Sequence, residues 1–342
     1  MRKTTPFMAG AALAGWLVAL PAGAQDAALI AAARHEGQVV WYTTLLAAQF
    51  AEPMAAAFER KFGVKATYVS LPSDLPQRVL SEAQAGRHIA DVIDGPTSVT
   101  PLKTQGLILK WTPASAANYP PELVDPDGYW MATNLYVQTM GFNTDLVPKG
   151  SEPRSMEDFL DPKWRGKFGW STNRTVSGGP GFIGATLLSM GQDKGVDYLR
   201  RLAKQNIVSL GASARTVLDQ AITGEFPIGL QIFNYHAVIS AAKGAPVAWA
   251  PSFPSTVSPS VVSVTLHAPH PNAAKLLAEF LVSDEGQTLF RNADYIPANP
   301  AVPPRDPALK PGPSTFTATF LKPEVITASM PGWAKLFDEL FK

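Results

Sequence analysis

Val39-Val40-Trp41-Tyr42-Thr43-Thr44 is a run of β-branched and aromatic residues that predicts a buried strand. Residues 49–62 then carry apolar side chains at three- and four-residue spacing, which predicts a helix packed on that strand. The same alternation continues with a strand at 64–69, a helix at 74–85 and a strand at 90–94. This order predicts parallel strands joined by right-handed crossovers, and therefore the α/β class.

The rest of the chain continues the mixture of strands and helices. An extended β-rich segment runs from Trp130 to Asn143, and a polar, glycine-rich loop runs from Asn173 to Gly181. Further predicted elements are helices at 153–159, 181–190, 193–205, 213–222, 235–243, 272–282 and from 333 onward, and strands at 168–171, 227–232 and 260–266. The sequence contains no internal repeat or heptad pattern, which excludes a solenoid or a coiled coil.

The composition is that of a folded protein without a strong charge. Of 342 residues, 46% are hydrophobic, which is enough to fill a core, and the formal net charge is +1. A nearly neutral chain lacks the electrostatic footprint of a nucleic-acid-binding protein. There is no cysteine, which excludes disulfides, cysteine zinc sites and thiol nucleophiles.

The N-terminus has the three-part plan of a secretory signal peptide. Arg2 and Lys3 precede an apolar segment from Phe7 to Leu20, and Ala22-Gly23-Ala24 forms an A-x-A ending. The apolar segment is shorter than the roughly 20 residues that a transmembrane helix needs. We therefore expect residues 1–24 to be a signal peptide that directs the protein through the general secretory pathway to a bacterial periplasm.

Motifs of common enzymes are absent. The sequence contains no G-x-S-x-G elbow and no H-E-x-x-H pair, and its five histidines do not form a spaced metal cluster. Asp91 and Asp94 stand three residues apart across a strand end, where their side chains point in different directions. We expect Asp91 to act as a cap or to pair locally, and we expect neither catalysis nor a cofactor.

Several stretches together carry a family resemblance. They are the opening strand with Thr43-Thr44, the segments at residues 58–65, 90–92, 161–167 and 224–229, and the segment from Asn272 to Gln287. In order and spacing, the chain resembles the extracellular solute-binding proteins of ABC importers, in the branch that contains the periplasmic ferric-ion-binding proteins. The resemblance covers almost all of the chain after the signal peptide.

This resemblance implies the type II periplasmic-binding-protein fold. Two α/β lobes, each with a parallel or mixed sheet flanked by helices, would be joined by two hinge crossings near residues 134–142 and 258–264. The ligand would lie in the cleft between the lobes. The expected lobes are residues 25–137 with 264–310, and residues 138–263 with 311–342.

Hydroxyl-bearing residues follow the first and third strands of lobe one. Thr43 and Thr44 end the first strand, and Thr97 follows the third. Ligands of parallel sheets bind at the carboxyl ends of the strands. These threonines either donate to an anionic or sugar-like ligand or cap the helices that follow.

Cationic candidates lie in lobe two. Asn173, Arg174 and Thr175 open the loop that, in the family, offers backbone N–H groups and hydroxyls to an anion. The Arg174 guanidinium is suited to bidentate binding of a carboxylate or phosphate, unless it is a solvated surface arginine. Arg215, at the start of a predicted helix, is either a second cationic contact or a member of a surface salt bridge.

Asn234 and Tyr235 begin a helix directly after a strand. Ferric-ion-binding relatives hold iron there through two adjacent tyrosines, but this chain keeps only Tyr235. Their other usual ligands, a His and a Glu, meet residues 44–45 and 95–96 here, so no metal site is expected. Asn234 and Tyr235 suit an organic ligand instead. Further aromatic residues near strand ends leave room for an aromatic carboxylate: Trp41, Tyr42, Trp130, Tyr136 and Trp170.

The expected function is that of a monomeric periplasmic receptor for an ABC importer. It would bind a small organic anion, a carboxylate or a phosphonate-like molecule, and deliver it to the permease in the inner membrane. The alternatives are a ferric-iron-binding protein and, in another class, a secreted enzyme on the same fold.

Overall fold

The structure, a computed structural model, describes residues 22–71, 74–148, 150–251 and 254–342. The predicted signal peptide lies outside these residues, apart from its last three positions. The α-helices are α1 (Ala22–Glu36), α2 (Glu52–Phe62), α3 (Leu75–Gln84), α4 (Val99–Thr104), α5 (Gly179–Met190), α6 (Gln192–Leu202), α7 (Ala214–Thr223), α8 (Asn234–Ala242), α9 (Pro271–Val282), α10 (Asp284–Asn292) and α11 (Pro323–Phe341). The strands are β1 (Gln38–Thr43), β2 (Lys65–Ser70), β3 (Val92–Gly95), β4 (Met131–Asn143), β5 (Phe168–Ser171), β6 (Val208–Leu210), β7 (Ile228–Phe233), β8 (Val247–Ala250), β9 (Thr256–Val264), β10 (Ile296–Pro297) and β11 (Thr319–Phe320).

The strands form a mixed sheet in the order β2-β1-β3-β9-β4-β7-β5-β6. β1 runs parallel to β2 and β3, and β5 runs parallel to β6 and β7, as right-handed crossovers require. β9 and β4 are antiparallel to their neighbours in this order. The predicted mixed α/β class is confirmed. The two expected sheets are joined into one hydrogen-bonded network, because β4 and β9 belong to both halves.

β4 and β9 are the long strands that connect the halves. They pair antiparallel from Met131 with Val262 to Gln138 with Thr256, which is where the two crossings were expected. The side chains of β4 contribute to two different hydrophobic clusters. Val137 belongs to the cluster that contains β1, and Met140 belongs to the cluster that contains β5. The division into lobes at residues 138 and 264 stays a prediction.

Two of the predicted helices differ clearly from the structure. Residues 153–159 do not form an α-helix, because the Asp158 carboxylate accepts the backbone N–H groups of Arg154 and Ser155 and holds a turn, which leads into a short 3-10 helix at Asp158–Leu160. The last helix begins at Pro323, ten residues before the predicted start at Trp333. Pro331 lies inside this helix, and proline usually ends a helix, so the residues before Trp333 were interpreted as a loop. The apolar face of the helix nevertheless continues past Pro331.

The last helix covers α5 of the second half. Phe337 and Trp333 of α11 lie against Gly179 and Gly184 of α5, where an added Cβ would come within 2.1 and 2.4 Å of the rings. Glycine at these positions lets the two helices approach closely, and the contact fixes the loop before α5. Within the described residues, no helix combines the length and hydropathy that a membrane span requires.

Candidate functional site

The carboxyl ends of β1 and β3 meet around one buried carboxylate. Asp94 is 1% exposed and accepts four hydrogen bonds. Its Oδ2 accepts from Trp41 Nε1 at 2.9 Å and Thr43 Oγ1 at 2.5 Å. Its Oδ1 accepts from the backbone N–H of Thr44 at 2.7 Å and from Thr44 Oγ1 at 2.9 Å. Both threonine hydroxyls therefore face a partner within the protein.

Burial raises the pKa of Asp94 to about 6, although the hydrogen bonds from Thr43, Thr44 and Trp41 oppose the shift. No arginine, lysine or histidine of the described chain forms an ion pair with it. Asp91 was expected to cap or pair locally, but its carboxylate instead pairs with the ring of His270, 179 residues away in sequence, at 2.9 Å. At neutral pH the edge of this half therefore carries one uncompensated negative charge.

The turn after β3 approaches Thr44 closely. Gly95 has a φ of +127°, and a Cβ there would lie 2.5 Å from Ser98 Oγ and 2.8 Å from Thr44 Cγ2. Only glycine fits such a position. Thr97 is exposed in the same turn. The structure thus brings Thr43 and Thr44 together around Asp94, with Thr97 nearby in sequence but outside the hydrogen-bond cluster.

In the second half, the loop at Asn173–Thr175 leads to the start of α5. All three residues are exposed, and the Arg174 side chain is 65% exposed. Its guanidinium forms an ion pair with Asp338 of α11 at 3.0 Å. This pair anchors the loop on α11 and neutralises the charge that was expected to face an anion.

The same loop folds tightly onto the first turn of α5. A Cβ at Gly178 would lie 2.2 Å from the carbonyl oxygen of Asn173, and one at Gly181 would lie 2.1 Å from that of Val176. The first turn of a helix has N–H groups without an acceptor inside the helix. In α5 these belong to Gly179 and Gly181, because Pro180 has no N–H and the first helical bond runs from Phe182 to Gly178.

Arg215 begins α7 and is also paired. Its guanidinium binds the Asp219 carboxylate at 2.6 and 3.2 Å and reaches the backbone oxygen of His236 at 3.4 Å. Arg215 lowers the pKa of Tyr235 slightly against the dominant effect of burial, which raises it. Burial and Arg215 also lower the pKa of His236 to about 4, so this ring is neutral at physiological pH. Arg215 and Tyr235 are therefore neighbours.

Asn234 and Tyr235 connect the second half to the first. Asn234 is fully buried, and its Nδ2 donates to the Leu309 carbonyl at 2.8 Å. Its Oδ1 has no hydrogen-bond partner in the part of the chain that the structure describes. The Tyr235 ring stacks on Phe233 and lies 6.3 Å from the ring of Tyr295, which belongs to the expected first lobe.

Tyr295 is a site residue that sequence reasoning missed, and Tyr136 was expected only as one of several aromatic residues near strand ends. The backbone of Leu46 lowers the pKa of the Tyr295 phenol against the larger effect of burial, which places Tyr295 beside the loop after β1. Burial raises the pKa of Tyr136 and Tyr295, and the charge of Asp94 adds to the shift in both. We call Asp94, Tyr136, Tyr235 and Tyr295 the tyrosine cluster. The position of Tyr295 directly before a short strand is the sequence feature that could have identified it as a site residue.

The remaining geometry separates the candidates into two groups. Thr43, Thr44 and Tyr235 lie at or beside the tyrosine cluster, and Arg215 is next to Tyr235. No hydrogen bond, ion pair or ring contact recorded among the described residues joins Asn173, Arg174 or Thr175 to that cluster. The part of the chain that the structure describes contains no group of three or more histidine or acidic side chains placed to hold a metal ion.

Known proteins provide two kinds of similarity. The family model described as bacterial extracellular solute-binding protein matches residues 53–317, which is most of the chain. No curated protein sequence matches it significantly. Many solved structures share the fold, including iron-bound HitA from Pseudomonas aeruginosa, with a TM-score of 0.73 and 22% identity over 87% of this chain and 98% of that one.

Two further similar structures contain an organic anion as a bound ligand. The Trichodesmium protein IdiA (FutA), in complex with iron and citrate, has a TM-score of 0.74 and 19% identity over 89% of this chain and 99% of that one. AfuA from Actinobacillus pleuropneumoniae, with fructose-6-phosphate bound, has a TM-score of 0.65 and 21% identity over 89% and 98%. At these identities the structures show the fold, which is that of type II periplasmic binding proteins.

The extent of the family match decides the class of protein. It confirms the predicted resemblance, and it makes the chain a binding protein and not an enzyme. The protein belongs to the family of bacterial extracellular solute-binding proteins.

Proposed function

We propose that the protein is the periplasmic receptor of an ABC importer and that it binds a small organic anion between its two halves. The signal peptide would be removed after Ala24, and the lobes would be residues 25–137 with 264–310 and 138–263 with 311–342. Family membership supports a receptor. The citrate and the fructose-6-phosphate of two structural relatives support an organic anion.

The start of α5 carries the proposal. Two glycine N–H groups without helical acceptors, the positive end of the helix dipole and the hydroxyls of Thr175 and Ser177 occur together there. The crowded glycines hold this arrangement rigidly, since no side chain fits between the loop and the helix. A carboxylate or phosphate would accept these N–H groups directly.

Arg174 would add a charge-assisted bond once it leaves Asp338. The ion pair is largely exposed, and such pairs contribute little to stability, so an anion competes with Asp338 at small cost. Asn173 and Thr175 flank Arg174 in the same loop. On the other side, Thr44, Asn234 and Tyr235 would orient the rest of the ligand, with Arg215 behind Tyr235.

Arg174→Ala should weaken binding of the anion by about 10- to 100-fold, the scale of one charge-assisted hydrogen bond. Asp338→Ala is the matched variant, because it frees the guanidinium and should strengthen binding by a few-fold. Calorimetric titration with ligands found in a thermal-shift screen of small carboxylates, phosphonates and sugar phosphates would measure both. Unchanged affinity in both variants would remove Arg174 from the site.

Ferric iron is a second candidate because of the tyrosine cluster. Asp94 acts electrostatically on Tyr136 and Tyr295, and Tyr235 on Tyr136, and phenolate and carboxylate oxygens are hard ligands. The opposing observation is that Asp94 already accepts four hydrogen bonds from the protein. Its oxygens would have to give up donors before binding a metal.

We therefore expect the purified protein to stay colourless when ferric citrate is added. Iron bound by a tyrosinate would give a visible charge-transfer band, which absorbance spectroscopy detects directly. A band that appears in the wild type and is lost in Tyr235→Phe would overturn the organic-anion proposal in favour of iron transport. Tyr68→Phe, in the strand β2, serves as the control.

A further inference from the structure

The proton of the Thr44 hydroxyl is committed to Asp94. Oγ1 of Thr44 lies 2.9 Å from Oδ1 of Asp94, and the Thr44 backbone N–H donates to the same oxygen at 2.7 Å. An ionised carboxylate only accepts hydrogen bonds, and a hydroxyl has a single proton to donate. In the resting state Thr44 therefore offers its surroundings only the lone pairs of its oxygen.

Thr43 and Thr44 differ in what remains available to a ligand. Thr43 is fully buried, and its oxygen accepts the backbone N–H of Leu45 at 3.1 Å while donating to Asp94. Thr44 is only partly buried, and within the described residues no donor is recorded at its oxygen. Thr44 is thus the threonine of this pair that can contact a bound molecule.

The buried charge of Asp94 favours a donor opposite Thr44. The guanidinium groups of Arg174 and Arg215 each have a carboxylate partner, whereas Asp94 has no cationic partner among the described residues. Behind Thr44 therefore lies an uncompensated buried negative charge. An anionic group placed there would be repelled, and a hydrogen-bond-donating or positively charged group would be attracted.

We propose that Thr44 is a specificity-determining contact that accepts a hydrogen bond from a hydroxyl or ammonium group of the ligand. This inference rests on the proposed function, in which the anionic end of the ligand binds at the start of α5. It narrows the ligand to a hydroxy- or amino-substituted organic anion with its two polar ends on opposite sides of the cleft. Thr44 favours these molecules over unsubstituted anions, because only a hydroxy- or amino-substituted anion supplies a hydrogen-bond donor to the Thr44 oxygen.

Matched pairs of probes test this directly by calorimetric titration. The pairs are phosphoethanolamine with ethyl phosphate, glycerol 1-phosphate with propyl phosphate, and 4-aminobutyrate with butyrate. We expect the donor-bearing member of at least one pair to bind about 10-fold tighter or more, the scale of one hydrogen bond to a polar site. The first and third pairs report an ammonium group, and the second a hydroxyl.

The outcomes separate this inference from the proposed function. Equal binding within every pair that binds would overturn the role of Thr44 and leave the anion receptor standing. Absence of binding by all six probes would contradict the anion receptor and the inference together.

Variants at Thr44 then assign the effect to this side chain. Thr44→Val keeps the shape and removes the acceptor, so it should weaken the donor-bearing probe about 10-fold and leave its unsubstituted analogue unchanged. Thr44→Ser should restore most of the affinity. Thr288→Val, in α10, where the hydroxyl donates to the Asp284 carbonyl of the same helix, is the control and should change neither. An equal loss for both members of a pair would mean a merely structural role and overturn the proposal.

Discussion

Thr43→Val should lower the free energy of unfolding by about 2–3 kcal/mol at pH 7.5, although the two side chains have nearly the same shape. The Thr43 hydroxyl donates to the ionised Asp94 at 2.5 Å and accepts the backbone N–H of Leu45 at 3.1 Å. A hydrogen bond to a buried charge contributes about 1.5–3 kcal/mol, and a buried donor left without an acceptor adds a further cost. Thr43→Val removes both hydrogen bonds at once, and because Thr43 is fully buried, water cannot take the place of the hydroxyl.

Urea unfolding followed by tryptophan fluorescence would measure this change. Thr43→Ser retains the hydroxyl and should lose only the contribution of one methyl group, about 1 kcal/mol. Thr288→Val, at a partly exposed position where the hydroxyl donates only to the Asp284 carbonyl of its own helix, should stay within about 0.5 kcal/mol of the wild type. If Thr43→Val were no less stable than Thr43→Ser, the hydroxyl would not support Asp94.

The longer strands could be predicted from sequence, because β-branched runs and helix periodicity are local signals, whereas the short strands β6, β8, β10 and β11 were not predicted. The predicted strands at 39–44 and 168–171 correspond to β1 and β5 almost residue for residue. The joining of both halves into one sheet could not be predicted, since it depends on the pairing of β4 with β9, which are more than a hundred residues apart. Local patterns carry no information on that pairing.

Candidate residues were found where strand ends marked them, but their partners were not. Thr43, Thr44 and Tyr235 stand directly after or at strand ends, so position alone identified them. Whether a threonine donates to a ligand or to a carboxylate depends on Asp94, about fifty residues away in sequence.

The charges of the arginines posed the same problem. Arg174 meets Asp338, which lies 164 residues further along the chain. The arginine was visible in the sequence, but the ion pair that neutralises it follows from the packing of α11 on α5.

The uncompensated charge of Asp94 also sets a pH dependence. Its pKa is raised by burial from the ordinary value of 3.8 to about 6 in the folded protein. Between these values the folded state binds more protons than the unfolded state, so the free energy of unfolding falls as pH rises. The stabilisation from this group is fully present below pH 4 and lost above pH 6, and it amounts to about 3 kcal/mol.

A carbon-detected NMR titration of the Asp94 carboxyl group should therefore give a midpoint near pH 6. In unfolding experiments, the free energy of unfolding of the wild type should fall by about 2 kcal/mol relative to that of Asp94→Ala between pH 4 and 6. Partly exposed groups such as Asp158 and Asp338, whose pKa values are lowered, act in the opposite direction but equally in both proteins. A midpoint near 4 together with parallel profiles would mean that the four donors outweigh burial. Thr43 and Thr44 would then hold a carboxylate that remains charged throughout the range in which the protein is folded.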